Sequence, residues 1–226
     1  LLSSSRVELL YCGSAEEQRV EDAVLSALAA LPRGHQDELP PVEQVAAPSQ
    51  PRFINETMDV TQGKLAVGYR CTSKDYPAMV LANLIFGGTS NSKLFLNVRE
   101  KLSLCYYASS SYARSKNILT VSSGVETGSR DRALEEIDRQ LKAVQTGDWE
   151  DWEQEGALQA IRSSLLSLSD SQGALENFYL GQIASGVHET PEELAAELER
   201  VTKERIVAAA RTVHLDTVYF LGGRDA

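Results

Sequence analysis

The chain has 226 residues, of which 42% are hydrophobic and 24% are charged, and its formal net charge is −10. These values are ordinary for a globular protein and allow one large domain, or one domain with a fragment of another. The acidic balance disfavours contact with phosphate backbones, so nucleic acid is not an expected partner, and no apolar run is long enough to predict a membrane span.

The first segment, residues 1–31, predicts one strand followed by one helix. Residues 6–12 (RVELLYC) are strand-like, and Ser14 is placed to cap a helix that runs to about Leu31. One strand and one helix cannot form a core alone, so we expect this segment to be the tail of a preceding domain. Its exposed apolar face predicts either self-association, as in a homodimer, or docking on the main sheet.

Residues 32–51 predict an extended linker, because they contain five prolines and show little periodicity. The main domain then spans residues 52–226. It opens with strands 53–60 and 64–72, whose Gln62-Gly63 junction predicts a hairpin turn. The next helix begins after Asp75 and is closed by Gly87-Gly88, and another is opened by Ser90.

The remainder alternates between groups of strands and groups of helices. Strands are predicted at 104–113, 117–126 and 216–222, and helices at 129–146, 150–169, 171–185, from Thr190 and at 203–213. Thr190, Pro191 and Glu193 form a capping-box pattern at one helix start. Strands grouped with strands predict an α+β fold, with an antiparallel sheet covered by helices on one face.

The cysteines indicate the redox compartment of the protein, and the first residues can be checked for a signal peptide. Cys12, Cys71 and Cys105 lie in apolar runs without a CxxC motif, so we expect buried free thiols and a reducing, cytoplasmic compartment. The first residues, LLSSSRVELL, lack both an initiating Met and the features of a signal peptide. The chain is therefore expected to be a piece of a longer protein.

No zinc site is predicted in this chain. His35, His188 and His214 are far apart in sequence, whereas a helical metal pair needs ligands about one turn apart. His188-Glu189 stands next to Glu192 and Glu193, but a new helix start separates them. We expect His35 to be solvated in the linker and His214 to lie at a helix end, where a cation is favoured.

Other catalytic patterns are also weak. There is no GxSxG elbow, and no local feature supports a Cys–His pair, although a pairing across the fold stays open. Gly87-Gly88-Thr89-Ser90 precedes a helix, as an anion cradle does, but it follows a helix and lacks the GK[ST] of a P-loop. We expect a helix–turn–helix joint there.

The segment from Leu84 to Tyr112, LIFGGTSNSKLFLNVREKLSLCYYASSSY, carries a family resemblance. It resembles the non-catalytic domain of the M16 zinc peptidases, the family of pitrilysin and the mitochondrial processing peptidase. The matching residues are Gly87, Gly88, Ser92, Leu94, Phe95, Val98, Arg99, Glu100, Leu104 and Tyr106. The resemblance covers most of the chain, more weakly outside residues 53–126.

The resemblance implies that the metal site lies in another domain, since the family's inverted H-x-x-E-H zinc motif is missing from this chain. Any zinc would then belong to an upstream catalytic domain, and this chain would need no cofactor. The same resemblance implies an Arg and a Tyr that face the zinc across a chamber, and these map to Arg99 and Tyr106. Tyr107 should point to the opposite side of a regular strand.

Three functions remain open at this stage. The first is a non-catalytic lobe that binds a peptide substrate and pairs with a catalytic domain in the same chain or in a partner subunit. The second is a pseudoenzyme or scaffold that supports an active relative. The third is an unrelated enzyme that uses Cys or Ser.

Overall fold

The computed structural model describes residues 3–35 and 45–223. The helices are α1 (Glu17–Ala29), α2 (Tyr76–Asn83), α3 (Arg130–Thr146), α4 (Asp151–Leu166), α5 (Gln172–Ser185), α6 (Pro191–Leu198) and α7 (Lys203–Ala210). The strands are β1 (Arg52–Met58), β2 (Gly63–Cys71), β3 (Cys105–Ala113), β4 (Ile118–Val125) and β5 (Val213–Gly223). Two π-helical segments, π1 (Leu84–Gly88) and π2 (Leu94–Lys101), lie between α2 and β3.

The five strands form one sheet in the order β1-β5-β2-β4-β3. All pairs are antiparallel except β1 and β5, which are parallel, so the sheet is mixed. Side chains alternate along β2, where Leu65, Val67 and Tyr69 are buried under the helices and Lys64 and Ala66 are exposed. The α+β fold with helices on one face is therefore confirmed, and the other side of the sheet is here called the open face.

The predicted hairpin between β1 and β2 is wrong. The two strands follow one another in the sequence and run in opposite directions. In the sheet, however, β5 lies between them and pairs with both. Phe53 of β1 is opposite Val218 of β5, and Val67 of β2 is opposite the same residue. The turn signal at Gln62-Gly63 is local, whereas the pairing is decided by a strand at the far end of the domain.

Residues 3–35 differ in part from the prediction. Residues 6–12 form no strand among the described residues. Helix α1 begins at Glu17 after Glu16, whose side chain makes no cap hydrogen bond. None of the α1 residues is fully buried. Cys12 lies beside α5, because its carbonyl oxygen accepts a hydrogen bond from Gln172 Nε2 at 3.3 Å. Residues 36–44 of the predicted linker lie outside the described residues.

The later helices agree with the sequence prediction. The side chain of Asp75 accepts a hydrogen bond from the Ala78 N–H at the start of α2. Thr190 and Glu193 form the reciprocal capping box at the start of α6. His214 differs, because α7 ends at Ala210 and His214 is an exposed residue of β5, paired with Arg70 of β2. No helix among the described residues has the length and apolarity needed to cross a bilayer.

The Gly87-Gly88 pair marks a close approach between helix and sheet. A Cβ atom at Gly87 would lie 2.6 Å from Leu94 Cδ1 and 2.7 Å from Ser110 Oγ. Only glycine lets π1 approach β3 this closely. The expected helix–turn–helix joint is confirmed, although its second helix begins after Ser92, not Ser90, because Ser92 Oγ accepts from the Phe95 N–H at 3.4 Å.

Candidate functional site

The π2 segment carries Arg99 in its last turn. Leu94 and Val98 are fully buried and fix the segment against the core, which leaves Arg99 partly exposed on the other side. The Arg99 guanidinium lies 4.6 Å from the centre of the Phe95 ring, and its Nε lies 3.6 Å from Glu100 Oε1. Since a guanidinium has five N–H donors, most of its hydrogen-bonding capacity is still free for a ligand.

Tyr106 enters the same region from β3. The chain passes from π2 into β3 through Ser103, a non-glycine residue with a left-handed φ of 49°. The β3–β4 register then shifts between Cys105 and Tyr107, so Tyr106 is the additional residue of a β-bulge. Its side chain is 65% exposed, which leaves the phenol accessible.

The three backbone irregularities surround one open cavity of ≈ 450 Å³. The cavity is lined by Arg99, Glu100, Ser103, Leu104, Cys105, Tyr106 and Glu126. π-helical segments, left-handed non-glycine residues and β-bulges all cost stability and occur disproportionately at functional sites. The structure therefore brings together the two residues that the family resemblance singled out, Arg99 and Tyr106.

Tyr107 is accessible like Tyr106, but it does not line the cavity. The Tyr107 ring covers Gly124 on the open face, and a Cβ atom at Gly124 would lie 2.6 Å from Tyr107 Cε1. Lys64 Nζ lies 5.5 Å from the centre of the same ring. Tyr107 is 40% exposed. Tyr106 thus lines the cavity, while Tyr107 contacts Lys64 and Gly124.

The charges around the cavity are unequal. Glu100 is paired with Arg99, whereas Glu126 forms no ion pair with any described residue. Cys105 also lines the cavity. Burial raises the pKa of its thiol, while the hydrogen bond from Ser123 and the charge of Arg99 act in the opposite direction. A thiol with a raised pKa is a poor nucleophile at neutral pH.

Sequence reasoning did not identify Ser103 and Glu126. The position of Glu126 follows from the pairing of β3 with β4. Cys105 is opposite Val125, so the next residue, Glu126, lies close to the start of β3. Ser103 gave no local signal, since serine at a left-handed position is uncommon.

The described residues do not fit a zinc ion. They contain no group of three His, Cys, Asp or Glu side chains that could hold one. His188 follows α5, while Glu192 and Glu193 lie in the first turn of α6, and Glu189 is paired with Arg114 at 3.4 Å. Of the three cysteines, none forms a disulfide, Cys71 is buried, and Cys12 and Cys105 are half-buried.

Comparison with known proteins identifies one family. The family model described as the peptidase M16 inactive domain matches residues 1–161. A Bacillus subtilis (strain 168) protein described as the probable inactive metalloprotease YmfF is 34% identical, over 99% of this chain and 53% of its own length. An uncharacterized zinc protease of the same organism, YmxG, is 25% identical over 72% of this chain and 42% of its own length.

Solved structures agree with this assignment. A conserved protein from Enterococcus faecalis V583 superposes with a TM-score of 0.83 and 28% identity, over 94% of this chain and 51% of that chain. A peptidase M16 inactive domain from Pseudomonas fluorescens superposes with a TM-score of 0.74 at 19% identity, over 92% of this chain and 52% of that chain, and shows the shared fold. The chain spans about half the length of the relatives it matches.

Proposed function

Since this chain belongs to peptidase family M16, as an inactive domain of that family, we propose that it forms one wall of a peptide-binding chamber. A catalytic domain, in the same polypeptide or in a partner subunit, would close the chamber. The relatives are about twice as long as this chain, which leaves room for such a domain. The absence of a buried residue in α1 supports the further proposal that residues 1–31 pack on that other domain.

The observation that carries the proposal is the shared cavity of Arg99 and Tyr106. A peptide in extended conformation offers carbonyl oxygens, and the guanidinium can donate two parallel hydrogen bonds to them. The Tyr106 hydroxyl can donate to the same backbone or to an oxyanion that develops on it. Both groups bind and orient the peptide, and neither supplies a nucleophile or a metal.

Hydrolysis would then depend on residues outside this chain. The described residues offer no zinc ligand set, and the cysteine that lines the cavity is a weak nucleophile. The three free thiols support a reducing, cytoplasmic location.

A second function, a scaffold or pseudoenzyme partner of an active M16 peptidase, is favoured by one comparison. The Bacillus relative that matches 99% of this chain is described as a probable inactive metalloprotease. In that case the cavity would hold a segment of the partner instead of a substrate.

One experiment separates the two functions. Zinc content and peptide cleavage are measured on this chain alone and on the chain extended by its natural upstream sequence. The chamber function predicts no stoichiometric zinc here, with zinc and cleavage in the longer protein. Absence of both from the longer protein supports the scaffold, and cleavage by this chain alone would contradict both proposals.

A further inference from the structure

A chain of hydrogen-bonded polar side chains holds the π2 segment against α3. Asn97 Nδ2 donates to Gln140 Oε1 at 3.1 Å, and Gln140 Nε2 donates to Glu136 Oε1 at 2.6 Å. Gln140 and Glu136 are buried, which is uncommon for side chains of these types. The second Glu136 oxygen lies 3.0 Å from Arg139 Nη2, an ion pair by distance that lacks hydrogen-bond geometry. These groups link α3 directly to the segment that carries Arg99.

Asn97 also acts on the backbone of π2. Its side-chain nitrogen donates a second hydrogen bond, at 3.0 Å, to the Lys93 carbonyl oxygen, which the Asn97 N–H would use in an α-helix. In a π-helical segment the backbone bonds run five residues back instead of four, as the Leu102 N–H does to the Asn97 oxygen at 3.2 Å. The Asn97 side chain therefore occupies the acceptor of the α-helical bond, which favours the π-helical alternative.

The wider π-helical turn decides where Arg99 points. Leu94 and Val98 anchor π2 in the core, and Arg99 lies on the side of the cavity. If π2 took α-helical bonding from Leu94 onwards, Arg99 would rotate about the helix axis by roughly a quarter of a turn relative to Leu94. Such a rotation would move the guanidinium away from the wall that it shares with Tyr106. The position of Arg99 thus depends on the helical register that Asn97 favours.

From these contacts we infer that Asn97, held by Gln140, is a positioning residue that keeps Arg99 in the peptide-binding cavity. Asn97 does not itself line the cavity and acts through the backbone of π2. The inference rests on the proposed peptide-binding function and adds the group that orients its guanidinium. Because π-helical segments are rare and occur frequently at functional sites, we expect the bonds that maintain this one to affect binding.

The test combines a double-mutant cycle on peptide affinity with hydrogen exchange of π2. The ligand is a short, uncharged, fluorescently labelled peptide with both ends blocked, so that the formal charge of −10 does not attract it. Its affinity is measured for the parent chain, Asn97→Ala, Arg99→Ala and the double variant, at a temperature where all of them are folded. Asn91→Ala is the matched control, since Asn91 is exposed and lines no part of the cavity.

Asn97→Ala should weaken peptide binding about fivefold, because fewer molecules then hold Arg99 in the cavity. The same substitution should have no further effect once Arg99 is alanine, because Asn97 acts only through that side chain. The Leu102 amide hydrogen should exchange faster in Asn97→Ala, while the amides of β2 and β4 keep their protection. Asn91→Ala should match the parent protein in both measurements.

Gln140→Met gives a second route to the same test if Asn97→Ala does not fold. It keeps the length of the side chain and removes the oxygen that accepts a hydrogen bond from Asn97. We expect Gln140→Met to weaken peptide binding when Arg99 is present and to have no effect in the Arg99→Ala background.

Each other outcome overturns a defined claim. Unchanged affinity in Asn97→Ala would overturn the positioning role, while peptide binding itself would stand. The same holds if Asn97→Ala weakens binding equally with and without Arg99, because it would then act independently of the guanidinium. An equal loss of protection in π2, β2 and β4 would show a general structural role and would also overturn the inference. If the parent chain binds no peptide, the peptide-binding function fails, and the inference fails with it.

Discussion

Arg99 and Tyr106 line one cavity although the first lies in the last turn of π2 and the second occupies a bulge in the edge strand β3. Their proximity depends on the left-handed residue Ser103, which reverses the chain between them. Neither side chain is needed to fill the core, since Leu94, Val98 and Leu104 do so. The two residues can therefore be changed without loss of the fold.

Replacement of Arg99 by alanine tests this separation of binding from folding. Arg99 has one long contact to Glu100 and one ring contact to Phe95, so the free energy of unfolding should fall by about 1 kcal/mol or less. Peptide affinity should fall about tenfold, since a charged hydrogen-bond donor is lost. Arg162→Ala removes an exposed arginine paired with Glu199 and should leave binding unchanged. A loss of several kcal/mol in Arg99→Ala would show a structural role instead.

Gly87 should tolerate no side chain. Alanine there would meet Leu94 Cδ1 at 2.6 Å and the Ser110 backbone nitrogen at 2.9 Å, so we expect Gly87→Ala to destabilise by about 2 kcal/mol in urea unfolding. Gly156 lies within α4 with open space around it, and Gly156→Ala should stabilise by about 0.5–1 kcal/mol. Equal effects of the two substitutions would contradict the close approach of π1 to β3.

A buried ion pair joins Lys93, the residue before π2, to Glu153 of α4. Lys93 Nζ lies 3.1 Å from Glu153 Oε1, and the two side chains are only 10% and 9% exposed. Lys93→Met leaves the Glu153 carboxylate buried without a counter-charge, so we expect a loss of about 3 kcal/mol in unfolding free energy. Adding Glu153→Gln, which keeps an acceptor for the Glu150 N–H, should recover part of that loss. If the double variant is less stable than Lys93→Met, the uncompensated charge is not the cause.

Asp216 predicts a pH dependence of stability. The Thr217 hydroxyl and the guanidinium groups of Arg70 and Arg52 lower the pKa of this carboxyl to about 2. Because the pKa is lower in the folded state, the stabilisation is complete above about pH 4, the pKa of an unfolded Asp, and is lost as the pH falls towards 2.

Asp216→Asn should therefore cost about 1–2 kcal/mol at pH 7, and the difference from the parent protein should shrink between about pH 4 and pH 2. Chemical denaturation at a series of pH values measures it. Asp131→Asn is the control, since the Asp131 side chain is 90% exposed. If the difference does not change with pH, ionisation of the Asp216 carboxyl does not stabilise the folded protein.

Thiol labelling tests the unrelated-enzyme hypothesis. Cys71 is 4% exposed, and burial raises the pKa of its thiol to about 11. We expect Cys71 to react with iodoacetamide only when the protein unfolds, and the half-buried Cys105 to react slowly at neutral pH. Rapid labelling of either one in the native protein, followed by mass spectrometry of the peptides, would identify a reactive cysteine and revive that hypothesis.

Local features were predictable from the sequence, and distant pairings were not. Thr190 and Glu193 cap their helix through contacts within one turn, so the pattern identified α6 directly. The β1–β2 hairpin failed because β5, more than a hundred residues later in the chain, occupies the place between the two strands. Residues 6–12 alternate like a strand, yet they find no partner among the described residues.

Only the site residues that belong to the family motif could be predicted from the sequence. Arg99 and Tyr106 came from a family resemblance, whereas Glu126 needed the register of β3 on β4, and the β-bulge at Tyr106 gave no signal in the sequence. The π-helical geometry of π1 and π2 was also unpredictable. An apolar pattern at three- and four-residue spacing does not distinguish a π-helical segment from an α-helix.

The position of β5 between β1 and β2 has a consequence for biosynthesis. A ribosome makes β1 and β2 before β3 and β4, and the strand that joins them is made last of the five. Until Val213–Gly223 has left the exit tunnel, β1 lacks its parallel neighbour and β2 exposes one edge. Nascent chains would thus carry unpaired strand edges until β5 is made. A stop codon before Val213 should yield an aggregating product, since it removes the inner strand that joins β1 to β2.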